Sequence, residues 1–163
     1  MSLTKFERLV LANQYEILKV LRPQEADGYA ELEHIIRNGY EVFYDQLTLS
    51  IADPMPADRG EEVINILSMF RAIHDGLGRQ EHSHPWAKFA GFDGNGEPVE
   101  LGLVHFIIEV EGKFQELRRP DLNSHMPTLA TYRAMLKEWR RSADRFRLTR
   151  EDIERILAAS DKA

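Results

Sequence analysis

Between Lys5 and Leu21 the chain carries apolar residues on two faces of one helix, and a surface helix has use for only one. At 100° per residue, Phe6, Leu9, Val10, Ile17, Val20 and Leu21 form the first face. Leu11, Tyr15 and Leu18 form the second, with Glu7 and Gln14 between the two. Such a helix is either central in a bundle or shared with another chain. Asn13 falls inside the first face. A buried amide is costly unless paired, and its best-attested use is to fix helix register or oligomer state; within one subunit it would instead bond a neighbouring helix. On this reasoning Leu11, Asn13, Tyr15 and Leu18 are assigned to a subunit interface, and the expected assembly is a homodimer or larger homo-oligomer.

The rest of the chain repeats the helical period. Thr4 and Glu7 have capping-box spacing ahead of the first helix. Pro23 and Gly39 bracket a second helix with the stripe Tyr29, Leu32, Ile36. A shorter element carries Tyr40, Phe43 and Leu47, and Asp53-Pro54-Met55-Pro56 breaks the chain. Beyond it, Asp58 with Glu61 resembles another N-terminal cap. Val63, Ile66, Leu67, Phe70, Ile73 and Leu77 then follow at 3–4 spacing up to Gly78. Leu101–Val110 fits a buried strand, but Leu103, Phe106, Ile107, Val110 and Phe114 fit a helix, which we prefer. Pro127-Thr128 opens a helix with Leu129, Tyr132, Leu136 and Trp139, and Thr149 caps a last one with Ile153, Ile156 and Leu157. The expected fold is all-α: an irregular bundle of about seven helices in a single domain, 1–163, with one long irregular segment near residues 78–98.

Several function classes are set aside by what is missing. Without cysteine there is no disulfide, thiolate nucleophile or Cys-type zinc site. No apolar run approaches the ~20 residues that span a bilayer, and Met1-Ser2-Leu3-Thr4 has no signal-peptide character. A cytoplasmic protein with no membrane association is expected. The net charge of −6 repels nucleic acid and anionic membranes as a whole.

Several short stretches taken together resemble the YfbU family of bacterial proteins. They are Leu11-Ala12-Asn13-Gln14-Tyr15, Gly39-Tyr40, Ile66-Leu67-Ser68-Met69-Phe70-Arg71-Ala72 and Phe89-Ala90-Gly91-Phe92-Asp93-Gly94-Asn95. Further on come Leu101-Gly102 with Phe106, Glu111-Gly112-Lys113-Phe114, and Tyr132 with Met135-Leu136 and Trp139. The resemblance covers nearly the whole chain. It implies a mainly helical protein and carries no reaction or catalytic residue with it. Gly96 stands where the family more often has Asn, which implies a looser loop.

Three constellations remain. Asp93-Gly94-Asn95-Gly96-Glu97 mimics the start of a calcium loop, but Pro98 and Val104 occupy the positions that need the sharp-turn glycine and the bidentate glutamate; a polar turn leading into a helix is the better reading. His82 and His84 are a candidate metal pair whose third ligand would have to come from His105 or Glu109. A solvated loop is preferred, and no metal or cofactor is expected. The segment 133–150 holds seven basic residues and two acidic ones. Arg133, Lys137, Arg140 and Arg141 are placed within about 100° of each other on one helix. They form a candidate anion- or partner-binding strip. An acidic protein surface suits it better than nucleic acid, since no reading helix or stacking motif accompanies it. The function that follows is a self-associating protein-interaction module. One alternative is an enzyme of unrecognised type, metal-dependent or not, using 78–98. The other is nucleic-acid binding through 133–150.

Overall fold

The computed structural model describes residues 2–78 and 82–162, and they are all-α, with one isolated parallel bridge between Phe92 and Asn123 as their only β pairing. They divide into two compact units, Met1–Pro54 and Met55–Ala163, at the proline-marked break. Each unit has its own apolar core.

The first unit is a helical hairpin. Helix α1, Lys5–Leu21, starts at the expected box: the Glu7 amide donates to Thr4 Oγ1 at 3.2 Å, and the Glu7 carboxylate accepts from the Thr4 amide at 2.8 Å. A 3₁₀ turn at Pro23–Glu25 leads into α2, Ala26–Asn38. Gly39, at φ +68°, ends α2 with the Tyr40 amide donating to Ile35 and its own amide to Ile36, a left-handed cap that suits glycine. A 3₁₀ segment, Glu41–Thr48, follows and buries Tyr44. The core is Ala12, Ile35, Ile36 and Tyr44, with Leu11, Tyr15 and Leu32 packed against it. Glu33, nearly buried, accepts from Lys19 of α1 and Arg37 of α2 and so ties the two helices. Those two hydrogen bonds, Lys19 first, hold its carboxyl below the ordinary range.

The second unit is built on α3, Ala57–Leu77, whose stripe Val63, Ile66, Leu67, Phe70 and Ile73 is buried as its spacing requires. Asp58 is not its cap. It lies in the first turn, after an N-cap at Pro56 that makes no side-chain bond. Helix α4, Pro98–His105, continues as a π turn, Phe106–Val110, so 101–110 is helical. Glu100, Val104, Ile107 and Ile108, at ordinary helical spacing, face the core. Phe106 and Val110, expected on the buried stripe, are exposed. Helices α5, Leu129–Trp139, and α6, Arg150–Ala158, bury Tyr132, Leu136, Trp139, Ile153 and Ile156. A second capping box, Thr149 with Asp152, opens α6.

Candidate functional site

The two faces of α1 have different fates. Leu11 and Tyr15, expected at a subunit interface, pack on the hairpin's own core, and Leu18 of the same face is half-buried. The other face is open: Phe6 is 74% exposed, Val20 80% and Leu21 70%, with Leu9, Val10 and Ile17 also exposed. Asn13 lies within this open face and is exposed. Of the four residues expected at an interface, only Asn13 is exposed. Helical periodicity locates both faces; which one the hairpin uses depends on where Ile35, Ile36 and Tyr44 sit, and the α1 sequence carries no record of that.

The basic strip is partly neutralised. Arg133 forms a fork with Glu62, with Nε and Nη2 donating at 2.9 and 2.8 Å, and this partner holds its guanidinium protonated more firmly than usual. Arg141 pairs with Glu138 at 3.1 Å. Helix α5 stops at Trp139, so Arg140 is its C-cap and Arg141 lies beyond the helical register. Lys137 and Arg140 are exposed, with no carboxylate pairing among the described residues.

The Asp93–Glu97 turn is a structural knot and does not present a cation site. Both carboxylates point at backbone amides. Asp93 accepts from Asn95 at 3.3 Å and Gly96 at 3.0 Å, which holds the turn that Gly96 was expected to loosen. Glu97, buried, accepts from the amides of Asp93, Thr128 and Leu129 at 3.0, 2.9 and 2.7 Å and lies 2.9 Å from the Thr128 hydroxyl. It thereby caps α5 from another part of the chain, while Thr128, at the N-cap position, makes no side-chain cap bond of its own. The single Thr128 proton serves either Glu97 or the Gly91 carbonyl at any moment. Gly91 adopts φ +93°, and a Cβ there would lie 1.9 Å from the Leu122 carbonyl oxygen. Only glycine lets the Phe92–Leu122 hydrogen bond form at this approach. Phe89 and Phe92 are buried, and Trp86 packs on the core edge-on to Tyr132. Burial pushes the Tyr132 hydroxyl far above its usual pKa.

His82 and His84 stay neighbours, with ring centroids 6.4 Å apart, but each imidazole faces a different carboxylate. His82 meets Glu154 at 3.3 Å, His84 faces Asp161 at 3.7 Å, and His105 pairs with Glu109 at 3.1 Å. Among the described residues no three His, Asp or Glu converge as a metal set would. The start of the Glu81-His82-Ser83-His84 stretch, and 79–81 of the irregular segment, lie outside the described residues. Beside that segment opens a cleft of about 640 Å³ with a floor of Phe70, Phe89 and Leu117 and a rim bearing Lys88, Arg118 and Arg119. Its one carboxylate, Glu116, is taken by Arg71. Sequence reading also passes over the fork between Arg59 and the fully buried Glu100. Burial there pushes the Glu100 carboxyl up, but the guanidinium outweighs it and the net shift is downward. The visible signal is Glu100 standing three residues after Glu97, on the inward side of α4.

No helix among the described residues is long and apolar enough to cross a membrane. The family model described as the YfbU domain matches residues 1–159. A UPF0304 protein of Methanocaldococcus jannaschii is 37% identical over 96% of this chain and 99% of its own length. A UPF0304 protein of Mannheimia succiniciproducens is 30% identical over 98% of this chain and 100% of its own length.

Proposed function

The chain belongs to the YfbU family, and we propose that it works as a self-associating protein-interaction module in the cytoplasm, with a second copy of itself seated on the open face of α1. The observation that carries this reading is the contiguous exposure of Phe6, Leu9, Val10, Ile17, Val20 and Leu21 along one helix. At the exposures seen, these side chains offer roughly 500 Å² of apolar surface, the size of the largest patch on a typical protein surface, which is often functional. A standard interface covers about 800 Å² per partner with about 65% of its core apolar, so one such face on each copy supplies the apolar part of a stable dimer. An anionic bilayer is a poorer occupant, because residues 1–54 hold five Lys or Arg against nine Asp or Glu. The test is the mass of the full-length protein by light scattering with and without Ile17→Glu. Loss of the dimer supports the reading, and a wild type that is monomeric but floats with anionic vesicles overturns it in favour of a membrane surface.

A second reading, ligand or substrate binding in the cleft near residues 82–89, is favoured by the conjunction of an aromatic floor and a cationic rim. It fits a small organic anion with an apolar body. Titration calorimetry with phenyl phosphate tests it. Binding that is lost in Lys88→Glu/Arg118→Glu supports it, and absence of heat at millimolar ligand removes it.

A further inference from the structure

Within the open face, Phe6, Val10, Asn13, Ile17 and Val20 succeed one another at intervals of four, three, four and three residues. That is the alternating four-three spacing of the seam of a helix pair, flanked here by Leu9 and Leu21. The seam is also symmetric about its polar member: Phe6 and Val20 lie seven residues either side of Asn13, and Val10 and Ile17 three and four residues away. We propose that two copies pair through α1 antiparallel, with the two-fold axis passing at Asn13; this rests on the self-association reading above and adds its geometry.

Two features favour antiparallel over parallel pairing. The first is volume. Antiparallel layers set Phe6 against the partner's Val20 and Val10 against the partner's Ile17, so each layer combines a large and a small side chain. Parallel layers set Phe6 on Phe6 and Val10 on Val10, overfilling one layer and leaving the next short. The second is the backbone dipole, whose like ends lie together in a parallel pair and opposite each other in an antiparallel one. At the axis the two Asn13 amides satisfy each other, each donating N–H to the other's carbonyl, as an isologous contact allows. Asn13 makes no side-chain hydrogen bond among the described residues, so it is free for that exchange. Any shift of register would bury it against an apolar group, which penalises the alternatives.

The chain has no cysteine, so single thiols can be introduced without interference. Phe6 and Val20 are both mostly exposed, and replacing either leaves the hairpin core untouched. Full-length Phe6→Cys and Val20→Cys proteins, differently tagged, are oxidised separately and as a 1:1 mixture. In the antiparallel pair of two Phe6→Cys chains the introduced thiols are about 21 Å apart, fourteen residues at 1.5 Å each, far beyond the ~4 Å that a disulfide needs between Cβ atoms. The mixture therefore cross-links at least about tenfold more than either protein alone. Efficient cross-linking of Phe6→Cys by itself, in a protein that scatters as a dimer, overturns the antiparallel geometry and leaves self-association standing. A dimer that cross-links in neither experiment also overturns it, by removing this face from the interface. A protein that scatters as a monomer fails both readings together.

Discussion

Replacing Glu97 with alanine should cost the second unit about 3–4 kcal/mol. The carboxylate serves three buried or half-buried amides, of Asp93, Thr128 and Leu129, together with a hydroxyl. The hydroxyl keeps an alternative acceptor in the Gly91 carbonyl at 3.0 Å and loses little. The three amides have none. Each orphaned donor costs about 1–3 kcal/mol, and the lower end applies because the space vacated by the side chain admits water. Loss of the cap on α5 lies within this sum and is not added to it. Both tryptophans, Trp86 and Trp139, lie in the second unit, so their fluorescence in urea follows that unit alone. With a slope of about 2 kcal/mol per molar for a unit of this size, the midpoint should fall by about 1.5–2 M. Glu97→Gln should cost about 1–2 kcal/mol, because its oxygen can keep the Thr128 and Leu129 amides while its NH₂ opposes the Asp93 amide and donates to the Thr128 hydroxyl. A shift below about 0.5 M for Glu97→Ala, or a neutral Glu97→Gln, would refute the cap.

Other variants probe the remaining elements. Gly91→Ala should destabilise the same unit by more than about 3 kcal/mol in the same assay, since it combines a left-handed φ with a backbone clash at Leu122; a loss under about 1 kcal/mol contradicts the close approach. Asp152 is held at a pKa of about 2, chiefly by its hydrogen bonds with Thr149 and Arg155. A depressed carboxyl stabilises above its unfolded value near 4 and loses that contribution as pH falls toward 2. The melting-temperature gap between wild type and Asp152→Asn should thus be constant above pH ~4.5 and close toward pH 2, and a gap independent of pH rejects the assignment. For the basic segment, duplex DNA at ~50 and ~200 mM salt should show no micromolar affinity, because Arg133 and Arg141 are already matched by carboxylates. Salt-sensitive binding abolished by Lys137→Glu/Arg140→Glu would favour nucleic acid instead.

The helices are legible in the sequence where one apolar stripe meets one core. Spacing alone places Ile66, Phe70 and Ile73 on α3 and Tyr132 and Trp139 on α5. The same holds for the caps at Thr4, Gly39 and Thr149, whose chemistry is local. Legibility fails where a distant group decides the outcome. Glu97 caps a helix that begins thirty-odd residues later, and Asp58 has the spacing of a cap whose position Pro56 takes. The apolar run 101–110 offers two neighbouring stripes, and the core takes the one through Val104, Ile107 and Ile108, which leaves Phe106 and Val110 outside. Residues 111–128, with Phe114 at φ +55° under the Arg71 guanidinium, form a second irregular stretch that periodicity cannot announce. For the candidate site, the two-faced character of α1 is visible in the residues themselves, and the choice of free face comes only with the packing of α2.

The most direct test of self-association is the solution mass of the full-length chain at tens of micromolar, by multi-angle light scattering after gel filtration. The expected mass is at least twice the 18.9 kDa of one chain, reduced to a single-chain mass in Ile17→Glu/Val20→Glu with unchanged helical dichroism. Tyr15→Asp, by contrast, should loosen the hairpin itself, since Tyr15 packs on its core. A wild type that elutes and scatters as one chain would contradict the central claim.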